Sequence, residues 1–122
     1  QEHHPGRICL FGVPGDMDYI LESFMMMLAL RKSTRANVRK RFQKRFGRAA
    51  SEVSVAAVAP RVRAPVLVVH DENDNVAPIS QGEALVAALP MARMWRTKGL
   101  GHSGALRDPQ TISEVIEFLV AK

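Results

Sequence analysis

The feature that most constrains the fold of this chain is the alternation of three short apolar runs with longer amphipathic segments. The runs lie at 8–13, 66–69 and 92–97, and the first two contain no polar residue. Such runs are too short for buried helices and are typical of strands buried on both faces of a parallel sheet. Alternation of strands and helices then predicts an α/β fold with a small three-stranded parallel sheet and flanking helices.

The segment between the first two runs has helical periodicity. Asp16 is placed to cap a first helix, and Ser33 or Thr34 to cap a second helix that ends at Gly47. The apolar stripe predicted for the first helix consists of Met17, Ile20, Leu21, Phe24 and Leu28. The stripe predicted for the second helix consists of Val38, Phe42 and Phe46.

Two further helices are predicted after the second run. Pro78 suits the first turn of a helix that runs to about Leu89. Asp108 and Pro109 form an N-cap and first-turn pair that opens a last helix. Its predicted apolar face consists of Ile112, Val115, Ile116 and Leu119.

Length and composition indicate an ordinary globular protein. The 122 residues fit a single domain over 1–122, with 47% hydrophobic and 24% charged residues. The longest apolar run, 24–30, is far shorter than a membrane span, and no apolar signal segment is visible at the start. One cysteine, Cys9, allows neither an internal disulfide nor a cysteine metal cluster. We therefore expect a cytoplasmic protein with no cofactor and no membrane contact.

The positive charge is concentrated in one predicted helix. The net charge is +5, and nine of the 17 lysines and arginines lie within 31–48, where no acidic residue interrupts them. A basic amphipathic helix can bind nucleic acid or another anionic partner. No nucleic-acid-binding motif accompanies this one, and its aromatic residues lie on the apolar face. A solvated outer helix is therefore favoured, and an anion- or nucleic-acid-binding module based on residues 31–48 is the alternative.

Candidate chemistry lies where two of the predicted strands end. Asp71, Glu72 and Asp74 follow the second run, and His102 lies in a glycine-rich loop after the third. Sites in open α/β sheets form at the carboxyl ends of the strands. Either group alone also fits an ordinary solvated turn or loop. An acid and a histidine on successive strand ends together indicate two members of a nucleophile-His-Asp triad.

These two stretches resemble the C-terminal part of the α/β-hydrolase family. The family has an apolar run followed by His-Gly-x-x-Asp-x-x-Val-Pro, and residues 66–78 read VLVVHDENDNVAP. Asp71 stands where glycine is usual, and Ala77 separates the valine from the proline. The resemblance implies that Asp74 is the triad acid and that His102, in the Leu-Gly-His loop after the third strand, is the general base.

The resemblance extends to most of the chain. It implies a partial α/β-hydrolase fold made of the sixth to eighth strands, with the helices of about 16–59 inserted as a cap. It also implies hydrolysis of esters or related acyl groups, with a small acyl substrate. In this family the nucleophile precedes the acid along the chain.

No nucleophile is recognisable in the sequence. The pentapeptide Gly-x-Ser-x-Gly is absent. Cys9 lies inside the first predicted strand and is best interpreted as a core residue, while Ser103 shares the loop of His102 and would need a different base. The favoured hypothesis is a truncated α/β-hydrolase that is inactive alone. The alternatives are a hydrolase completed by another chain and the anion-binding module described above.

An open strand edge predicts self-association. In the parent fold the strand at 8–13 has a neighbour on each side, and here one neighbour is missing. Unpaired strand edges and exposed apolar stripes are typical of interfaces. We therefore expect a homodimer, formed through the edge of residues 8–13 or by exchange of the cap helices.

Overall fold

A computed structural model describes residues 5–122, so residues 1–4 of the predicted domain lie outside the described part. It contains a three-stranded parallel sheet in the order β1-β2-β3, which confirms the predicted fold class. The strands are β1 (Ile8–Phe11), β2 (Val66–Asp71) and β3 (Ala92–Thr97). The first strand is shorter than predicted, because Gly12 leaves extended geometry with φ +54°.

Four helices lie in the connections between the strands, and two follow the last strand. Their bounds are α1 (Met17–Met27), α2 (Lys32–Phe46), α3 (Val55–Val58), α4 (Ile79–Ala88), α5 (Gly101–Gly104) and α6 (Pro109–Val120). Short 3₁₀ turns cover Ala50–Glu52, Ala59–Arg61 and Ala105–Arg107. Helices α1 to α3 all lie in the connection from β1 to β2, where the sequence predicted a helical insertion.

Strand β2 is the centre of the molecule, and every one of its residues is buried. Val66 and Val68 pack against α4, in a core that includes Leu85 and Leu89. On the opposite face, Leu67 and Val69 pack against the C-terminal segment, in a core that includes Ala105 and Phe118. Burial on both faces explains why β2 has a continuous apolar run rather than an alternating pattern.

Helix α1 begins as predicted, but its buried face is narrower than predicted. The Asp16 carboxylate accepts a hydrogen bond of 2.9 Å from the amide of Asp18. Met25 is the one fully buried residue of the helix. Three members of the predicted stripe are 40–51% exposed, namely Ile20, Phe24 and Leu28.

Helix α2 begins earlier than the sequence indicated. Arg31 is the N-cap residue, and Ser33 and Thr34 already lie inside the helix, so the prediction that one of them caps it was wrong. The extended backbone of Arg31 makes the turn into the helix, and the amide of Arg35 bonds to the carbonyl of Arg31. Gly47 ends α2 as predicted, in the left-handed conformation with φ +74°.

The last helix has the predicted boundary but a different buried face. Asp108 caps α6 by accepting a 2.9 Å hydrogen bond from the amide of Thr111. Thr111 and Phe118 are the buried residues. Three of the four residues predicted to face the core are 42–55% exposed, namely Ile112, Ile116 and Leu119. The Thr111 hydroxyl accepts a bond from Trp95 Nε1 at 3.0 Å, which turns this side of the helix toward the sheet.

No helix within residues 5–122 has both the length and the apolar character needed to cross a membrane. The cytoplasmic location stays a prediction.

Candidate active site

The turn after β2 fixes Asp74 in a buried position. One carboxylate oxygen, Oδ1, accepts hydrogen bonds from the amides of Val76 at 2.9 Å and Ala77 at 2.8 Å. The Asp74 side chain is 1% exposed. Two backbone donors therefore hold one oxygen, and the second oxygen, Oδ2, is left for another partner.

That partner is His102, on the short helix α5 after β3. Nδ1 of His102 lies 2.8 Å from Oδ2 of Asp74, and the imidazole is 37% exposed. An ionised carboxylate only accepts, so the proton of this hydrogen bond belongs to Nδ1. Nε2 then carries the free lone pair of a general base. The structure thus brings together the two residues that the sequence predicted as a catalytic pair, whose catalytic role stays a prediction.

The surroundings of Asp74 favour its charged form. Burial alone would raise the pKa of this carboxyl. The amide of Ala77, the imidazole of His102 and the amide of Val76 outweigh burial, and the pKa of Asp74 lies below its ordinary value. The acid is therefore ionised at neutral pH and can stabilise an imidazolium.

Asp71 forms a second buried carboxylate site, and the sequence analysis named this residue among the acids of the turn without giving it a role of its own. Its Oδ2 accepts bonds from the hydroxyl of Thr97 at 2.7 Å and from the amide of Leu100 at 2.9 Å. Its Oδ1 accepts a 2.8 Å bond from the amide of Asn73. Burial alone would raise the pKa of Asp71. These donors and the amide of Gly101 outweigh burial, so the pKa of Asp71 lies below its ordinary value. The sequence feature that could have indicated this site is an acidic residue at the end of a buried strand, two positions after its apolar run.

His70 is a residue near Asp74 that sequence reasoning missed. The ring is 1% exposed, and Nε2 lies 2.7 Å from the carbonyl oxygen of Ala77 and 3.5 Å from Oδ2 of Asp74. A carbonyl can only accept, so Nε2 carries a proton. Nδ1 is buried without a hydrogen-bond partner among the described residues. The bond from Nε2 to Ala77 is therefore the hydrogen bond that orients the ring.

Gly12 brings the end of β1 against the Asp74–His102 pair. Its backbone has φ +54°, and a Cβ at this position would lie 3.1 Å from Oδ2 of Asp74 and 3.2 Å from Nδ1 of His102. The amide of Gly12 donates to the carbonyl of Val69 at 2.9 Å, which fixes the approach. Glycine fits here because it has no Cβ, which would strain the left-handed backbone and press on both side chains.

Neither nucleophile considered from the sequence is engaged with His102. Cys9 lies on β1 and packs against the Leu67 and Val69 core, and burial raises the pKa of its thiol against the opposing effect of Arg93. A raised pKa disfavours the reactive thiolate. Ser103 follows His102 on α5. Among residues 5–122, no hydroxyl or thiol forms a hydrogen bond with Nε2 of His102.

The basic segment is partly neutralised by α1. Arg35 pairs with Glu22 at 3.1 Å, and Arg39 pairs with both Asp18 and Glu22. The other seven basic side chains of 31–48 are exposed. Two of the nine cations thus join α2 to α1, and anion binding by the remainder stays a prediction.

Within the described part of the chain, no three His, Cys, Asp or Glu side chains are grouped to hold a metal ion.

Comparison with known proteins gives one family match. The sequence profile of the family described as TAP-like protein, an α/β-hydrolase family, matches residues 34–121, which include Asp74 and His102. No curated protein sequence matches the chain.

Solved structures share the fold at low sequence identity. The protein Rv0554 from Mycobacterium tuberculosis is 17% identical, with a TM-score of 0.64 over 95% of this chain. The propionate-bound thermophilic esterase Est2 from Thermogutta terrifontis is 18% identical, with a TM-score of 0.64 over 94%. A puromycin-hydrolyzing peptidase from Mycobacterium tuberculosis is 21% identical, with a TM-score of 0.61 over 91%. The chain spans 57, 42 and 17% of the lengths of these three proteins, respectively.

Proposed function

The chain belongs to the TAP-like family of α/β-hydrolases, and we propose that it supplies the acid and the base of an acyl-hydrolase site. The observation that carries this proposal is the 2.8 Å contact between Oδ2 of Asp74 and Nδ1 of His102. The contact fixes the imidazole tautomer that leaves Nε2 free to accept a proton.

The proposed reaction follows from that tautomer. Nε2 of His102 takes the proton of a nucleophile hydroxyl while the hydroxyl oxygen attacks the acyl carbon. Asp74 stabilises the imidazolium that results. The imidazolium then returns the proton to the leaving alcohol or amine as the tetrahedral intermediate collapses. Water releases the acyl group by the same steps, with His102 again acting first as base and then as acid.

The nucleophile is proposed to come from residues outside these 122, in the same polypeptide or in another chain. The sequence contains no Gly-x-Ser-x-Gly, and neither Cys9 nor Ser103 contacts His102 through a hydrogen bond. We therefore expect the 122-residue chain alone to be inactive. Removal of a nucleophile and its oxyanion hole costs several orders of magnitude in rate.

The proposed substrate class is a small acyl ester or amide. One structural neighbour is an esterase with bound propionate, and another is a peptidase that hydrolyses puromycin.

Helix α1 is proposed to act as part of a cap over the site. The Tyr19 hydroxyl donates to the carbonyl of Val76 at 3.1 Å, which places α1 directly beside the Asp74 turn.

The test compares the 122-residue chain alone with the same chain joined to, or co-expressed with, a segment that carries the proposed nucleophile. The substrate is a chromogenic short-chain acyl ester. We expect no turnover by the chain alone, and turnover by the completed protein that His102→Ala abolishes. Glu117→Gln is the matched control, because Glu117 is exposed on α6. Turnover by the completed protein that survives His102→Ala would contradict the proposal.

A further inference from the structure

The turn after β2 and the loop after β3 are joined by hydrogen bonds from consecutive residues. The amide of Glu72 donates to the carbonyl of Thr97 at 2.8 Å, which continues the ladder by one bond. Beyond it, the Asp71 carboxylate accepts from Thr97 and Leu100, and Asn73 Oδ1 accepts a 2.9 Å bond from the amide of Gly99. The acid-bearing turn therefore holds the histidine-bearing loop at Thr97, Gly99 and Leu100.

Between β3 and the buried Ala105, which packs with Leu67 and Val69, the histidine loop has few restraints of its own. Gly99 and Gly101 adopt φ +77° and +72°, and glycine has more conformational freedom to lose than any other residue. Helix α5 is only four residues long, and Leu100 before it provides no side-chain cap. The orientation of His102 thus depends on contacts made to this loop from outside it.

We propose that Asp71 is a positioning residue whose buried carboxylate holds the loop at Thr97 and Leu100, so that the imidazole of His102 meets Asp74. Asp71 itself makes no hydrogen bond to His102 and acts only through the loop. The inference rests on the proposed function for its catalytic meaning, but the geometric claim is independent of it.

The two buried carboxylates accept hydrogen bonds from different donors. Asp71 uses its two oxygens for the backbone and hydroxyl donors of the loops, and Asp74 uses one oxygen for its own turn and one for the imidazole. A buried carboxylate is costly unless hydrogen bonds satisfy it. The donors around Asp71 satisfy that requirement only while the loop keeps this conformation, so the carboxylate favours the loop geometry that presents His102.

The test uses Asp71→Ala in the 122-residue chain. Alanine removes both carboxylate oxygens, so the Thr97 hydroxyl and the Leu100 amide lose their acceptor. With ¹⁵N-labelled histidine, NMR reports the Nδ1–H proton of His102 and, as an internal reference, the Nε2–H proton of His70. We expect the His102 signal to be lost to exchange or broadened, the His70 signal to persist, and the amide of Leu100 to exchange at least about tenfold faster. Glu72→Gln, in the same turn with an exposed side chain, should change none of these.

A second pair of variants keeps the proposal testable if Asp71→Ala fails to fold. Thr97→Val removes the hydroxyl donor and should weaken the His102 signal, and Thr97→Ser restores the donor and should restore the signal. An unchanged His102 signal and unchanged Leu100 exchange in folded Asp71→Ala or Thr97→Val would overturn the proposal.

Kinetics of the completed enzyme separate this inference from the proposed function. Misplacement of the base should lower kcat about 100-fold and leave KM nearly unchanged. If the completed protein has no activity at all, the proposed function fails, and the NMR measurements still decide whether Asp71 positions His102.

Discussion

One carboxylate oxygen of Asp74 lies between two histidines, 2.8 Å from Nδ1 of His102 and 3.5 Å from Nε2 of His70. The two histidines differ in their other contacts. His70 is sealed in the core and bonds to the carbonyl of Ala77, whereas His102 is partly exposed and bonds to the carboxylate. Within residues 5–122, Oδ2 of Asp74 therefore forms its hydrogen bond with His102, and the buried His70 bonds to the turn that carries the acid.

Asp74→Asn should destabilise the chain and reverse the His102 tautomer. An asparagine oxygen can still accept from Val76 and Ala77, which leaves its amide group facing Nδ1 of His102. Two donors then oppose each other, so the His102 proton moves to Nε2. We expect a loss of about 1–3 kcal/mol in the free energy of unfolding, measured in urea, and a tautomer change in ¹⁵N NMR. The exposed Glu117→Gln should leave both unchanged, and an Asp74→Asn variant with the wild-type tautomer would contradict this account.

Acid should destabilise the fold through Asp71 and Asp74. Both carboxyls have a lower pKa in the folded chain than their ordinary value near 4, so the folded state holds their charged forms more favourably. Their contribution is fully present above about pH 4 and is lost as the pH falls through the lower folded values. Urea unfolding between pH 6 and pH 2.5 should show this loss. The variant with both residues changed to asparagine should have a flatter profile, and an equally steep one would argue against these two groups.

The sequence predicted the elements that depend on local signals and missed those that depend on tertiary contact. Asp16, Gly47 and Asp108 mark helix ends through their own backbone and side-chain chemistry, and the structure confirms all three. The sequence predicted the wrong buried residues for α6, because hydrogen bonds as well as hydropathy select which residues of this helix are buried. Hydrogen bonds from Trp95 and to Asp108 select Thr111 for burial, and no periodicity reports such bonds.

The candidate site shows the same division. Asp74 and His102 were predictable, because strand ends of a parallel sheet meet at one edge. Asp71 was named among the acids of the turn and as a departure from glycine, but its contacts depend on β3, which supplies Thr97 as a donor. Gly12 lies 62 residues before the acid it approaches, and nothing local indicates that contact.

Gly12→Ala should disrupt the Asp74–His102 pair. The substitution strains a left-handed backbone by about 1–2 kcal/mol, and its Cβ would press on both side chains at 3.1–3.2 Å. Gly47→Ala is the matched control, because Gly47 has φ +74° and a Cβ there would meet no heavy atom within 4 Å. We expect both variants to lose stability in urea, and only Gly12→Ala to shift the His102 Nδ1–H resonance. Equal spectra for the two variants would exclude the contact.

Gly82→Ala should destabilise the core under α4, although alanine is the better helix former by about 1 kcal/mol. A Cβ at this position would lie 2.5 Å from Nδ1 of His70 and 3.1 Å from the terminal carbon of Met94. The imidazole is buried and bonded to the carbonyl of Ala77, so we expect its displacement to give a net loss of about 1–3 kcal/mol in the free energy of unfolding. Gly6→Ala, where a Cβ would meet nothing within 4 Å, should be close to neutral. A stabilised Gly82→Ala would show that the ring moves easily.

The 122-residue chain should form a homodimer, because β1 pairs with β2 on one edge only. The amides of Ile8 and Gly12 donate to the carbonyls of Pro65 and Val69, and strand alternation therefore directs the amides of Cys9 and Phe11 to the open edge. Light scattering at micromolar concentration should give twice the 13.5 kDa mass of the chain. A stable monomer would refute the prediction.

Two substitutions at Phe11 identify the contact. Phe11→Pro removes an amide donor from the open edge without removing a bond to β2, and Phe11→Ala loses the same side-chain packing but keeps the amide. If dimers form strand to strand, the proline variant should dissociate at a higher concentration than the alanine variant. If they form instead by exchange of the helices between β1 and β2, Phe24→Asp should weaken them more than either change at Phe11, because Phe24 is a half-exposed apolar residue of α1. Dimers unaffected by all three substitutions would exclude both contacts.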